Sequence, residues 1–422
     1  MSNDEQLATH DELGSAIDRE SCIAFAFVGQ VVADGAIFQD PAFSRAGQMF
    51  QENLLVGLKH AGIAPSVIIS AFPVRAFPRS RRIFYCGDKQ TIAEGMRVTQ
   101  VPFVNITPLK ETSIGIATAW LLIRWGLRCR GKRRVVFTYN LTVPPGIFTL
   151  LGAKLIRAKS IVGIYDINVP GQTVPNNLWH RIDYRLQRWL LPRYDGHVTV
   201  TDIIMRDFAA RRHYLRLEGG VSDETLERTR SAPKKDMADG TFTIVAAGTL
   251  TEANGIREIL EAFSVLTGDF YRLLVAGDGP LRREVENAAA HDCRIQYLGY
   301  LQFKDVLDLY THASVLVCMR MTKKLNTKYF FPSKVMEYLA SGVLVVSTCT
   351  GHLEEEYKGL LYLLRDETAE GLADLLRQIA QSDPEERRER ARKAADFMAH
   401  CKTWDAQGRR VANYIRKQVL AI

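Results

Sequence analysis

The sequence predicts an α/β protein of two successive doubly wound domains, each a parallel sheet covered by helices. Three observations carry that expectation. Short β-branched runs alternate with helical patterns in two separate series. The charged segment SDETLERTRSAPKKDMADG at 222–240, with the Pro and Gly of a linker, divides them. The 422 residues exceed what one ordinary core accommodates. The expected boundaries are a tail at 1–20, a first domain at 21–221, the linker at 222–240, a second domain at 241–395 and a helical segment at 396–422.

In the first series, CIAFAFVG reads as a buried strand beginning at Cys22. After the loop QVVADGAIFQDPAFSRAG, the pattern QMFQENLLVGLKHAG puts Phe50, Leu54, Leu55 and Leu58 on one helical face and stops on Gly62. SVIIS, RVTQV, RVVFTYN, SIVGIYD and GHVTVT follow as strands between helical segments. In the second series the strands are FTIVAAG, YRLLVAGDG, IQYLGY, SVLVCMR and VLVVST. The tail WDAQGRRVANYIRKQVLAI carries Val411, Tyr414, Ile415 and Val419 at the spacing of an amphipathic helix. Two such units would leave a cleft where the carboxyl ends of both sheets face each other, and doubly wound folds bind ligands at those ends.

Composition bounds the function. With 47% hydrophobic and 24% charged residues the chain reads as globular, neither disordered nor membrane-embedded. No segment reaches the ~18 uninterrupted apolar residues of a membrane span. The acidic start MSNDEQLATHDELGSAIDRE lacks the pattern of a secretory signal, which points to the cytoplasm. Seven cysteines, scattered and never spaced as CxxC, argue against a disulfide framework or a structural zinc site and read as reduced, mostly buried thiols. The net charge of +8 is uneven, since residues 51–200 hold 21 Lys and Arg against 7 Asp and Glu. The clusters RSRR (79–82) and RCRGKRR (128–134) would face an anionic membrane, a phosphorylated substrate or only solvent. Without interleaved aromatics on a recognisable module they do not suit nucleic acid. The helical stretch 113–134 reads as either an interfacial element or a core helix with a solvated basic end.

The segment FPSKVMEYLASG, 331–342, concentrates the chemistry. Pro332 suits a first helical position and Gly342 the left-handed stop. Ser333 and the free N–H groups of the first turn would form an anion site, to which Lys334 adds a full charge. Glu337, four residues after Ser333, lies on the same face and would accept hydrogen bonds from sugar hydroxyls. The plainer alternative is a capped helix with a surface Lys and Glu. Asp166 in YDINVPG would sit at a strand's carboxyl end, as a turn residue or as a carboxylate facing a substrate. Asp278 in AGDGP reads as a turn-former and His197 as structural.

Together FPSKVMEYLASGVLVVST, SVLVCMR, AAGTLTEANGIREILEAF and LLVAGDGPLRREVE resemble the C-terminal half of retaining glycosyltransferases of the GT-B fold, family 4, of bacterial exopolysaccharide and lipopolysaccharide pathways. A looser likeness in the N-terminal half rests on SRAGQMFQENLLVGL, YDINVPG and RYDGHVTVTDIIMRDF. The resemblance implies a nucleotide-sugar-binding second domain, an acceptor-binding first domain and a C-terminal helix that crosses back to the first. It implies that Glu337 contacts the donor ribose, that Ser333 and Lys334 hold the diphosphate, that Gly248 and Thr249 lie beside it, and that Gly47 lets the phosphates approach. Two departures stand out. Tyr329 occupies the position of the first acid of an E-x7-E pair, and Thr249 and Asn254-Gly255 stand where two cations are usual. Lys334 and Arg320, at the end of SVLVCMR, are the replacements closest in the motif for neutralising a leaving diphosphate. The resemblance implies a nucleoside-diphosphate sugar as donor; no DxD-like pair accompanies the donor motif, so no obligatory metal or cofactor is expected. The acceptor expected is a lipid-linked oligosaccharide at the inner membrane face. The alternatives are a sugar-nucleotide epimerase and a catalytically silent subunit of the same fold.

Overall fold

A computed structural model describes residues 23–33, 43–231, 240–323 and 327–422; the expected tail at 1–20 and parts of the first loop and of the linker lie outside the described residues. The chain forms two compact units, one of residues up to 217 together with 404–422, the other of residues 218–403. The C-terminal helix therefore returns to the first unit, as expected, and does so at Trp404.

The first unit runs β1 (Ile23–Gly29), α1 (Arg45–His60), β2 (Pro65–Ser70), β3 (Phe84–Tyr85), β4 (Asp88–Thr91), β5 (Arg97–Gln100), β6 (Phe103–Val104), α2 (Leu109–Arg128), β7 (Arg133–Tyr139), α3 (Pro145–Leu155), β8 (Lys159–Ile164), α4 (Leu178–Leu190), β9 (Gly196–Thr199), α5 (Asp202–Phe208) and β10 (Tyr214–Arg216). Its sheet has the order β10-β9-β8-β7-β1-β2-β5-β4, parallel except for the edge strand β4. Ala24–Phe27 of central β1 are all buried, which is why this strand reads as a continuous apolar run. In α1 the Ser44 hydroxyl accepts the Gly47 N–H at 3.1 Å, and Leu54, Leu55 and Leu58 enter the core.

The second unit opens with α6 (Asp223–Ser231), inside the segment expected as a linker. Arg228 of α6 pairs with Asp308 at 2.6 Å, and the Thr229 hydroxyl donates to the Ala340 carbonyl at 3.2 Å. Then follow β11 (Phe242–Ala247), α7 (Ile256–Ser264), β12 (Tyr271–Ala276), α8 (Arg282–His291), β13 (Ile295–Tyr297), α9 (Phe303–Thr311), β14 (Val315–Cys318), α10 (Lys334–Ala340), β15 (Leu344–Thr348), α11 (Leu353–Glu356), β16 (Tyr362–Leu364), α12 (Ala369–Gln381) and α13 (Pro384–Cys401). The sheet is parallel throughout, in the order β13-β12-β11-β14-β15-β16.

Helix α14 (Trp404–Tyr414), extended by a π-helical turn over Ile415–Val419, packs on α1 within the first unit. The backbones meet directly: a Cβ on Gly408 would lie 2.1 Å from the Gly57 carbonyl oxygen. Val411, Tyr414, Ile415 and Val419 join the core with Leu54 and Leu58, so the spacing of the tail predicted its buried face.

The thiols correct an expectation. Six described cysteines form no disulfide, and only Cys318 is buried; Cys86 and Cys293, in connections between elements, and Cys401, the last residue of α13, are exposed.

Candidate functional site

In the second unit the chain moves outward from β11 through β12 to β13, then crosses back to β14 on the other side of β11. Loops leaving β11 and β14 therefore diverge, and a crevice opens at the carboxyl ends of the two strands. A cavity of ≈ 440 Å³ lies beside it at the carboxyl ends of β11 and β12, lined by Gly248, Thr249, Gly277, Asp278, Tyr300 and Lys334 among others. A recess of ≈ 60 Å³ shares Gly248, Thr249 and Lys334 with it and adds Asn254, Cys318 and Arg320.

The turn after β11 is built for close approach. Gly248 has φ +147 and Gly277 φ +138, and a Cβ on Gly277 would lie 1.8 Å from the Gly248 carbonyl oxygen. Backbone bonds join the two turns: Gly248 N–H donates to Ala276 at 2.8 Å and Leu250 N–H to Asp278 at 3.0 Å. Asp278 also accepts the Gly279 N–H with its side chain at 2.8 Å, which is the turn-forming role read from the sequence.

Helix α10 begins at Lys334, so Pro332 lies before the N-cap, Ser333, rather than at the first helical position. Val335 N–H bonds the Pro332 carbonyl at 2.9 Å, a tight first turn that moves the start of the helix past the proline. The Ser333 side chain is exposed and makes no capping bond. Gly342 takes φ +67, as a helix stop does.

Lys334 Nζ donates to the Ala247 carbonyl at 2.7 Å and would lie 2.2 Å from a Cβ on Gly248. Burial lowers the pKa of this amine. The Tyr338 hydroxyl reaches the same residue, 3.3 Å from Ala247 N and 3.2 Å from its oxygen. Glu337 is half-buried, and burial raises its carboxyl pKa although Lys334 opposes the shift. The Cys318 thiol in the wall of the recess is pushed up to about 11 by burial.

Arg320 follows β14 and is fixed at both ends. Its main chain exchanges two 2.9 Å bonds with the Thr348 hydroxyl, and its guanidinium donates to Asn254 and lies 4.8 Å from the Phe330 ring centroid. Asn254 in turn donates to the Thr249 carbonyl at 2.6 Å. Asn254 thus carries the arginine that reaches the same recess. Gly248, Thr249, Lys334 and Arg320 come together; Asn254, read in the sequence only as a departure from the motif, and Tyr338, which sequence reasoning missed, complete the arrangement. A signal for Asn254 was present in its place in the motif, but none in sequence links it to a partner 66 positions away.

Tyr329 stacks under Lys328, whose Nζ is 5.3 Å from the ring centroid. Nearby, Glu367 is buried and accepts both the N–H and the hydroxyl of Thr322 at 2.7 Å, holding the loop after Arg320. No sequence pattern singled it out.

Gly47 and Asp166 belong to the first unit. Gly47 opens α1, where a Cβ would lie 3.8 Å from the Tyr139 hydroxyl. Asn140, at φ +51, accepts the N–H groups of Tyr165 and Asp166 and donates to the Asp166 carboxylate at 3.2 Å. Asp166 is exposed at the end of β8. His197 is fully buried, with Nε2 2.8 Å from the Leu191 carbonyl, in agreement with a structural role.

Among the described residues one group has the composition of a metal site: Glu218, His352 and Glu356. Lys402 supplies the cation there. Its Nζ lies 2.9 Å from Glu218 and also bonds Glu356, while His352 Nε2 lies 2.5 Å from Glu218. The donor set therefore fits a buried ion network better than a metal. Burial alone would raise the Glu218 pKa, but the bond from His352 and the Lys402 ammonium hold it well below the carboxylate range.

Residues 241–382 match the family described as glycosyl transferases group 1. The whole chain has the GT-B fold. It is similar to the sucrose-phosphate synthase of Thermosynechococcus elongatus at 13% identity and TM-score 0.60, covering 94% of this chain and 100% of that one. A glycosyltransferase from Rickettsia africae is similar at 14% identity and TM-score 0.62, over 94% and 99% of the chains. Anabaena HepE, solved in complex with UDP and glucose, is similar at 13% identity and TM-score 0.55, over 92% and 98%. None of the curated protein sequences matches the chain.

Proposed function

We propose that the protein is a retaining hexosyltransferase of the family 4 type. It moves a sugar from a nucleoside-diphosphate sugar to a lipid-linked oligosaccharide at the cytoplasmic membrane face, in bacterial polysaccharide synthesis. The observation that carries this reading is the convergence of Lys334, Arg320 and the Gly248–Thr249 turn on one crevice, within the segment matched to glycosyl transferases group 1.

In this reading the diphosphate lies against the Gly248–Thr249 turn and Ser333, and Glu337 anchors the ribose. The bond between the anomeric carbon and the diphosphate oxygen breaks. Lys334 and Arg320 stabilise the charge that develops on the leaving group, in a site where a preorganised cation is worth more than in water. The acceptor hydroxyl attacks from the same face and gives its proton to the departing phosphate. Asp166 orients that hydroxyl, Gly47 lets the donor phosphates approach, and the chain's own cations serve without an obligatory metal.

The test is titration calorimetry with UDP and GDP, followed by donor hydrolysis over a panel of UDP- and GDP-sugars. Binding of one diphosphate with slow hydrolysis of its sugar is the expected result; no nucleotide binding overturns the proposal. Tyr329 in place of an acid favours a second reading, a nucleotide-binding subunit without turnover. Binding with no hydrolysis and no transfer would select it.

A further inference from the structure

We propose that His352 is a positioning residue for the donor diphosphate: its ring, clamped by Glu218 and Lys402, backs Phe331 and so fixes the turn that carries Ser333 and Lys334. The inference deepens the donor-site reading and rests on it.

Glu218, His352 and Lys402 are all buried, where apolar side chains of the same volume would stabilise the unit as well or better. The best-attested use of such a network is to fix one arrangement of the chain. Both ends of the second unit supply it. The chain enters the unit at Glu218 and leaves it after Thr403, and the Val221 N–H donates to the Lys402 carbonyl at 2.7 Å. Against this frame the His352 ring is held by one of its two nitrogens: Nε2 meets Glu218, while Nδ1 is buried without a hydrogen-bond partner. Glu218, itself held by Lys402, therefore sets the direction of the ring.

The ring is aimed at Phe331. The two stack with centroids 5.1 Å apart and planes 14° from parallel, and the Tyr357 ring lies 5.9 Å from Phe331. Lys402 Nζ is 5.2 Å from the Tyr357 ring centroid, so both aromatic neighbours of Phe331 lean on the same network. Phe331 is buried, two residues before Ser333 and three before Lys334. On the crevice side the segment is loosely held. Ser333 makes no capping bond, and the proposed reaction exchanges the bond from Lys334 to Ala247 for one to the diphosphate. Phe331 is the anchor that stays. The connection between β15 and α11 backs the other cation too, since Thr348 bonds the Arg320 main chain and His352 follows four residues later. A shift of ~1 Å in a group held for reaction can cost about 10²-fold, which gives such backing its value.

The test uses H352Q, which keeps a donor for Glu218 but loses the ring, and F331L, which removes the stack and leaves the ion network whole. Calorimetry with UDP and GDP, and competition by uridine and guanosine, read the diphosphate apart from the rest of the nucleotide. The diphosphate that the unaltered chain binds should bind each variant roughly tenfold more weakly, and the matching nucleoside within about twofold. Because the two side chains act through one contact, H352Q/F331L should be no weaker than the worse single variant. Hydrogen exchange should quicken about tenfold at Val335 and Met336, whose N–H groups close the turn, and stay unchanged in β11. Variants that are folded by circular dichroism and bind the diphosphate fully overturn the inference alone. So does an equal loss for diphosphate and nucleoside, which marks a role in stability only. If H352Q does not fold, F331L decides by the same measurements. No binding of either diphosphate by the unaltered chain overturns the donor-site reading, and the inference with it.

Discussion

At Lys334 the ammonium is bonded to the Ala247 carbonyl, which the leaving diphosphate replaces in the proposed reaction. Lys334→Ala should lower turnover by about 10²–10³, the cost of losing one preorganised donor to a developing charge, and weaken nucleotide binding less. Single-turnover kinetics beside calorimetry would separate the two effects. Glu337 gives a test of opposite sign in stability and binding. Its folded pKa is raised by burial, so from about 4.5 upward the folded state keeps a proton that the unfolded chain has released. Stability falls as pH rises through that window and stays reduced above it. Glu337→Gln should therefore raise the Tm at pH 7 more than at pH 4, while weakening UDP or GDP binding by roughly tenfold or more through the lost charge-assisted bonds. An unchanged nucleotide affinity would refute the ribose role. Glu218 works the other way: its folded pKa is depressed, so its stabilisation is present above about 4.5 and lost as pH falls further. Lys402→Met should cost about 3–5 kcal/mol in denaturant unfolding, since it strands a buried carboxylate.

Single elements were legible where periodicity decides them. SVIIS, RVTQV and FTIVAAG became strands within a residue of their expected limits, and Phe50, Leu54, Leu55 and Leu58 of α1 all face inward or pack on the core. Composition misled at 222–240, because a segment rich in charge reads as a linker unless its partners are known. Arg228 finds Asp308 eighty positions away, and no local pattern announces that. The candidate site divides in the same manner. The glycine turn, Lys334 and Glu337 were visible as a motif, whereas Asn254, Tyr338 and Glu367 matter only through contacts made by the fold. The packing of α14 on α1 offers a direct check. With backbones this close at Gly57 and Gly408, Gly408→Val has no room for its side chain and should destabilise the first unit by about 1–3 kcal/mol. Thermal unfolding read from both units would show whether the loss stays in the first.

For the whole molecule, the first unit draws its core from both parts of the chain. Val411 and Ile415 are fully buried, and Tyr414 and Val419 nearly so; burying each such side chain contributes about 1.5–3 kcal/mol. Their sum is comparable with the 5–15 kcal/mol that stabilises a typical protein. Deleting 404–422 should unfold the first unit, visible as loss of protection from hydrogen exchange in β1 and α1, whereas residues 218–403 retain theirs. The same connectivity sets an order of events on the ribosome. The second unit is synthesised whole before Trp404 emerges, but the first, although translated earlier, lacks part of its interior until Val419 has been made. During that interval Leu54 and Leu58 have an unfilled neighbour, and a nascent-chain chaperone would find its target at the front of the protein rather than at the newest residues.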